Sequence, residues 1–464
     1  MLTQQIRFLG DSIFTDSALP VIMLAATLTA VSASSAVSAE QSAPQTGRNA
    51  PLNTEKPRSS EHRPGNVTGS NSASLAMCPA SGARVAEPYR WYPKLDLTRI
   101  PFHSAAGPWG PRAPIVAPAA PVTRRSVNVS SAAQLAAEAL IPGTLITVTA
   151  DYIGHAVVFG DVRDVDIVVP AGRRVAQLTI GSYTPRSITE RVRIRGTTPG
   201  THSGGLIGAI AFYSYPARDI IIDGVDLNGE DGNGGHLLWN FGFPVERFAV
   251  VNVRGNAASD AGGLQGVDIV IAGNRIVSGL RTREVVGSAG GWSLRGGDRL
   301  VVYDNRIDGT RYHRIRVHPN PVPGPPQYAW VANNTLVDPN EARIFSAFHV
   351  GNNSDSDRYA AVWAVCNQVY AHSTCMPPSF DGVRASYARL IHNTLFGSIT
   401  QAMQRSQQAA QGPDRDYLTG NKFSPWQAPP AWDAPGDPTT AVPMPQLRPE
   451  RFNAGVRFMP CPGP

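Results

Sequence analysis

Three short runs carry arginine and histidine at alternating positions: GGWSLRGG (290–297), YHRIRVH (312–318) and RIFSAFHV (343–350). In an extended strand successive side chains point to opposite sides. If Ile315 and Val317 face a core, Arg314, Arg316 and His318 face away from it. By the same alternation Trp292 and Leu294 send Ser293 and Arg295 outward, and Ile344, Ser346 and Phe348 send out Arg343 and His349. An earlier run, GHLLWN, exposes His236 if Leu237 and Trp239 are buried. Guanidinium groups grip carboxylates with two hydrogen bonds, and imidazole moves protons near neutral pH. Together these groups suit elimination next to an acidic sugar's carboxylate. That reaction needs the carboxylate neutralised, a base for the neighbouring proton and an acid for the leaving oxygen. Arg295 or Arg316 would neutralise, His318 or His349 would act as base, and Tyr312 would be the acid. Arg314, Arg343 and His236 would help to hold the chain.

Residues so far apart in sequence need a scaffold that repeats. Apolar alternation followed by an asparagine and a further apolar residue recurs at DIVIAGNRI (Asn274), RLVVYDNRI (Asn305), YAWVANNTL (Asn334), AVWAVCNQV (Asn367), ARLIHNTL (Asn393) and DYLTGNKF (Asn421). The intervals are 31, 29, 33, 26 and 28 residues. Earlier runs, RVRIRGTT, RDIIIDGVDL and ERFAVVNVRG, keep the strand pattern without the asparagine. An irregular strand repeat of this length implies a β-solenoid. The expected fold is all-β, a right-handed parallel β-helix of about nine to ten coils. Each asparagine would take the left-handed conformation at a tight corner and stack its amide on the next. Coils stack about 4.8 Å apart, so Arg295, Arg316 and His349 would form one basic stripe.

The run SVNVSSAAQLAAEALIPGTLITVTADYIG reads as a strand, an N-cap at Ser130 or Ser131, a helix closed by Pro142-Gly143, and another strand. Such a helix would cap the open end of the first coil. The passage resembles the N-terminal cap of the pectate-lyase-like parallel β-helix superfamily, and with the asparagine corners the resemblance covers 126–423. SLRGGDRLVVYDNRIDG resembles, more weakly, the chondroitinase-B and alginate-lyase type of polysaccharide lyase. That resemblance implies a catalytic role for Arg295. The type's lysine base would fall near EVVGSAGG, where no lysine stands and Glu284 remains as a calcium-side carboxylate.

The rest of the chain bounds the reading. Formal charge is +6 and only Lys56, Lys94 and Lys422 are lysines, so the positive charge is arginine without basic blocks, and nucleic acid is not an expected partner. A basic, shallow face fits an acidic polysaccharide such as a polyuronate. Residues 1–39 read as a signal peptide with a small-residue end, 40–77 as an unfolded linker, and no membrane span is expected. Residues 78–125 would wrap the solenoid and 424–464 form a proline-rich tail. In a secreted monomer Cys366 and Cys375 would make a local bridge and Cys78 and Cys461 a clasp, one of three possible pairings. Asp223, Asp226, Glu230 and Asp231 offer carboxylates for glycoside hydrolysis, or, with Asp226 and Asp231, ligands for calcium. An adhesin binding glycan without turnover would use the same basic face.

Overall fold

The computed structural model describes residues 88–100, 113–182, 186–228, 236–240, 243–256, 261–278, 292–295, 297–309, 312–318, 327–338, 345–350, 360–371, 387–396, 417–419 and 421–424, some strand residues by backbone alone. Within these limits the chain is a parallel β-solenoid. Apolar residues at every second position make each strand two-sided. In Thr144–Val148, for example, Ile146 and Val148 are fully buried while Leu145 and Thr147 are not. Each coil runs through three faces in turn. The first face is built from strands such as Val162–Val168, Ala217–Asp223, Leu300–Tyr303 and Ala360–Val365. The second holds Asp226–Asn228, Arg306–Gly309 and Gln368–Ala371, and the third holds Ile210–Phe212, Trp292–Arg295 and Tyr312–His318. The solenoid strands pair in parallel with their equivalents in neighbouring coils, for instance Ile220 with Phe248 and Ile307 with Leu336. From Thr144–Val148 to Tyr417–Thr419 the described chain visits the first face eleven times. That exceeds the expected nine to ten, because the first coils lack the asparagine that marks the others.

The corner between the first and second faces carries the asparagine ladder. Asn334 shows the pattern: its Nδ2 donates to Val302 O at 2.9 Å and to Asn367 Oδ1 at 3.0 Å. Its Oδ1 accepts from Asn305 N at 3.0 Å and Asn305 Nδ2 at 2.9 Å. Links of this kind run from Asn274 through Asn305, Asn334, Asn367 and Asn393 to Asn421. One expectation is corrected. The left-handed residue is not the asparagine but the one before it: Gly273, Asp304, Asn333, Cys366 and His392 have φ between 51° and 68°. The bend belongs to that outer residue, and the asparagine turns its amide inward, where four bonds satisfy it.

A second left-handed column crosses the first face. Asp164, Arg191, Asp219, Arg247, Asp268 and Arg299 follow one another coil by coil, all with positive φ. Each arginine grips the aspartate of the preceding coil through two bonds: Arg191 to Asp164 at 2.6 and 2.8 Å, Arg247 to Asp219 at 2.6 and 2.9 Å, Arg299 to Asp268 at 2.5 and 2.8 Å. The same aspartates accept backbone N–H groups from a proline-rich strap. Val116 donates to Asp268 at 3.3 Å, Ala119 to Asp219 at 3.0 Å and Val122 to Asp164 at 3.1 Å. The fit is geometric. Three residues of polyproline-type chain rise about 9.3 Å, and two coils span about 9.6 Å. Pro118 and Pro121 hold the strap extended. Below it, Trp91, Tyr92, Leu95, Ile100 and Ile115 cover outward apolar residues of the first face, including Ile221, Val270, Trp330 and Trp363. The segment is not wholly irregular: Pro88–Tyr89 pairs antiparallel with Tyr92–Asp96.

The capping helix α1 spans Ala132–Ala139, with Ser131 Oγ accepting from Gln134 N and Gln134 Oε1 accepting from Ser130 N. Leu135 and Ala139 close the first coil. Gly143, at φ 75°, follows in the left-handed turn. Among the described residues no helix is long and apolar enough to cross a membrane. Cys366 is not a free thiol, and Cys78, Cys375 and Cys461 lie outside the described residues, as do the leader, the linker and the tail beyond Ser424, which ends the strand Lys422–Ser424.

Two outcomes follow from the corners. Asn334→Ala should cost about 3 kcal/mol in urea unfolding, since it strips buried groups of partners. Asn334→Asp should cost more at neutral pH, because a carboxylate cannot donate to Val302 O. Asp223, beside the ladder's start, is buried, and that burial pushes its pKa up to about 6 against the bonds from Gly200 N and Asn252. A raised carboxyl pKa stabilises the fold at low pH, and that contribution is lost as pH rises towards about 6. Asp223→Asn should therefore remove the fall in stability between about pH 4 and 6, read from unfolding midpoints across pH.

Candidate functional site

The third face is where the arginine and histidine runs come together. Trp292, Leu294, Ile315 and Val317 are fully buried, as expected, which leaves positions 293, 295, 316 and 318 on the outward side of the pleat. Register places Ser293 beside Arg316, and Arg316 beside His349. It places Gln265 beside Arg295, and Arg295 beside His318. The expected single stripe of Arg295, Arg316 and His349 is thus two parallel columns. The strand ending at Arg295 aligns Trp292 with Ile315, which moves Arg295 two positions along from Arg316. The four positions still form a compact group. Coil neighbours lie about 4.8 Å apart and the columns about 6.6 Å apart.

Other expected residues are more distant. Tyr312 pairs with Phe345 and stands four positions before Arg316, about 13 Å along the strand. That distance separates it from the group it was expected to serve. Arg314 lies between them on the same strand. Asp226 lies on another face, at the start of Asp226–Asn228, where Oδ1 meets His202 Nε2 at 2.6 Å. Arg343, Glu284 and Asp231 lie outside the described residues, among which no group of three metal-ligating side chains is found.

The coils towards the N-terminus hold what the sequence reading missed. Leu237 and Leu238 are both fully buried, so Trp239 faces outward and is not the core residue expected. The cause is a two-residue strand, Leu238–Trp239, too short to keep alternation with the turn before it. Trp239 heads the column that continues through Gly263 and Ser293 to Arg316. His236 packs its ring on Trp239 at 4.7 Å. Tyr213 meets Phe243 edge to face at 5.5 Å, and burial raises the Tyr213 pKa, so its hydroxyl stays protonated. The signal available was the density of aromatic residues in FYSYP and WNFGFP. Their side of the strand was not readable. Asn240 occupies an inward position and is fully buried; its amide closes on Gln265 with Nδ2 to O at 3.0 Å and Oδ1 to N at 2.8 Å.

The chain matches no protein-family model and no curated protein sequence.

Asn240 pins the strand that leads to the basic positions. Asn240→Leu would suit the apolar core in shape but leave the Gln265 amide without its acceptor. It should lower stability by about 1–3 kcal/mol in denaturant unfolding and speed amide exchange at Gln265 more than at Leu294.

Proposed function

We propose that the protein is an exported polysaccharide lyase of the pectate-lyase-like β-helix superfamily, cleaving an acidic, uronate-rich glycan by β-elimination. The observation that carries this reading is the content of the two outward columns. Gln265, Arg295 and His318 stand in one, and Ser293, Arg316 and His349 in the other. Arg295 and Arg316 hold and neutralise the uronate carboxylate. One histidine, neutral, takes the proton next to that carboxylate. The electron pair left behind forms the new carbon–carbon double bond, and the glycosidic C–O bond breaks. The other histidine, protonated, gives the leaving oxygen its proton. His318 stands two positions along the strand from Arg316 and His349 beside it on the next coil, which suits this division better than the distant Tyr312.

The same columns count against hydrolysis. That reaction wants two facing carboxylates, and no described outward position of either column, from Val157 and Phe159 to His349, is aspartate or glutamate. In this reading the arginines neutralise the substrate's charge. Glycan binding without turnover would use the same surface and is separated by assay.

The protein, incubated with alginate, polygalacturonate and chondroitin, should produce the ultraviolet absorbance of an unsaturated uronate on one of them. Arg295→Ala and Arg316→Ala should each lower kcat/KM on the order of 100-fold or more with an unchanged far-UV spectrum. New reducing ends without that absorbance would mean hydrolysis, and undiminished turnover in both variants would place the chemistry elsewhere.

A further inference from the structure

We propose that the third face continues beyond the basic positions as an aromatic track, Trp239, Tyr213 and Phe159, which carries the ring faces of more distant units of the same glycan. The inference rests on the reading that this face binds a uronate chain. Two columns define it. One runs Val157, Thr179, Ala211, Trp239, Gly263, Ser293, Arg316, His349. In the other, Val158, Ile180 and Phe212 are in register, so the residues that follow them, Phe159, Gly181 and Tyr213, align one position on. The backbone ladder continues to that level, with Gly181 N donating to Val158 O at 3.0 Å and Tyr213 N to Ile180 O at 2.9 Å. This second column leads on towards Gln265, Arg295 and His318.

The chemistry of the columns changes along the axis. The later coils carry cations. The earlier ones carry flat rings separated by small residues: Gly181 lies between Phe159 and Tyr213, and Gly263 lies between Trp239 and Ser293. Gly181 has φ 93°, and a Cβ there would collide with Ser214, so the gap between the rings is built into the backbone. Phe159 is 68% exposed and Tyr215, beside the track, 50%. An apolar ring left this open on a solenoid wall has not been used for packing. The coil spacing of about 4.8 Å is close to one pyranose unit of an extended chain, so a glycan lying along the axis meets a new coil with each unit. Its carboxylates match the cationic end, and the C–H faces of its rings match the aromatic end, where flat side chains offer large contact area at small entropic cost. Trp239 stands three coils, about 14 Å, from Arg316, and Phe159 six coils, about 29 Å.

Binding of saturated oligouronates of increasing length, measured by calorimetry with wild-type protein and with Trp239→Ala, Trp239→Phe and Phe159→Ala, tests the track. Wild-type affinity should rise as the ligand grows from about three units to about seven. Trp239→Ala should lose at least about ten-fold for long ligands, equivalent to 1.4 kcal/mol, and bind the trimer as wild type does. Trp239→Phe should keep most of the gain. Phe159, being exposed, can be changed without threat to folding, and Phe159→Ala should lose only the last increment. Wild-type binding with no dependence on length, or long-ligand affinity unchanged in both alanine variants, would overturn the track and leave the lyase reading standing. No binding of any oligouronate by wild type would overturn both.

Discussion

Stacking of coils in strict register depends on the buried amide ladder. An asparagine at the corner spends all its hydrogen-bonding capacity on main chain and on its neighbouring asparagines, so each coil from Asn274 onwards can turn at one place only. Slipping a coil by one residue would bury several unpaired polar groups together, at about 1–3 kcal/mol each. The corner therefore sets the phase of every strand after it. That phase decides which side chains of the third face look outward, although the ladder itself lies at a different edge.

The first face shows how the chain disposes of the surface it does not leave open. Its outward residues are as apolar as many core residues, Ile221, Val301, Trp330 and Trp363 among them, and Tyr89, Trp91, Tyr92, Leu95, Ile100 and Ile115 cover them. Alternating aspartate and arginine in left-handed positions gives that strap a row of acceptors at every second coil. Each aspartate serves both an arginine and a strap amide, so charge is neutralised where the strap docks. Hydrogen bonds from Arg247 and from the Ala119 amide hold the Asp219 pKa below its ordinary value despite the opposing effect of burial. The third face, by contrast, carries basic residues at outward positions of its later strands and aromatic ones on its earlier strands.

Much of this was legible in the sequence, and the limits are physical. The six asparagines revealed the repeat, and the alternation in WSLR and RIRV fixed the inward residues correctly, because strands of four or more residues keep period two. Where a strand shrinks to Leu238–Trp239, one residue of turn shifts the phase, and Trp239 was placed wrongly. The left-handed bend was assigned to asparagine by its propensity. In the structure its amide is needed inside, and the preceding residue takes the bend instead, even when that residue is Cys366 or His392. Register between coils depends on loop lengths, so the two-column layout of Arg295 and Arg316 could not be read before the fold was known. The Asp–Arg column was invisible for the same reason: its members are 21 to 31 residues apart and carry no motif.

The central claim is that an acidic glycan lies on the third face across Arg295 and Arg316. Arginine-selective modification with phenylglyoxal, read by peptide mass with and without polyuronate, addresses it directly. The account predicts protection of Arg295 and Arg316, with Arg163 and Arg218 on the first face reacting as before. Equal protection at all four, or protection of Arg163 and Arg218 alone, would contradict it.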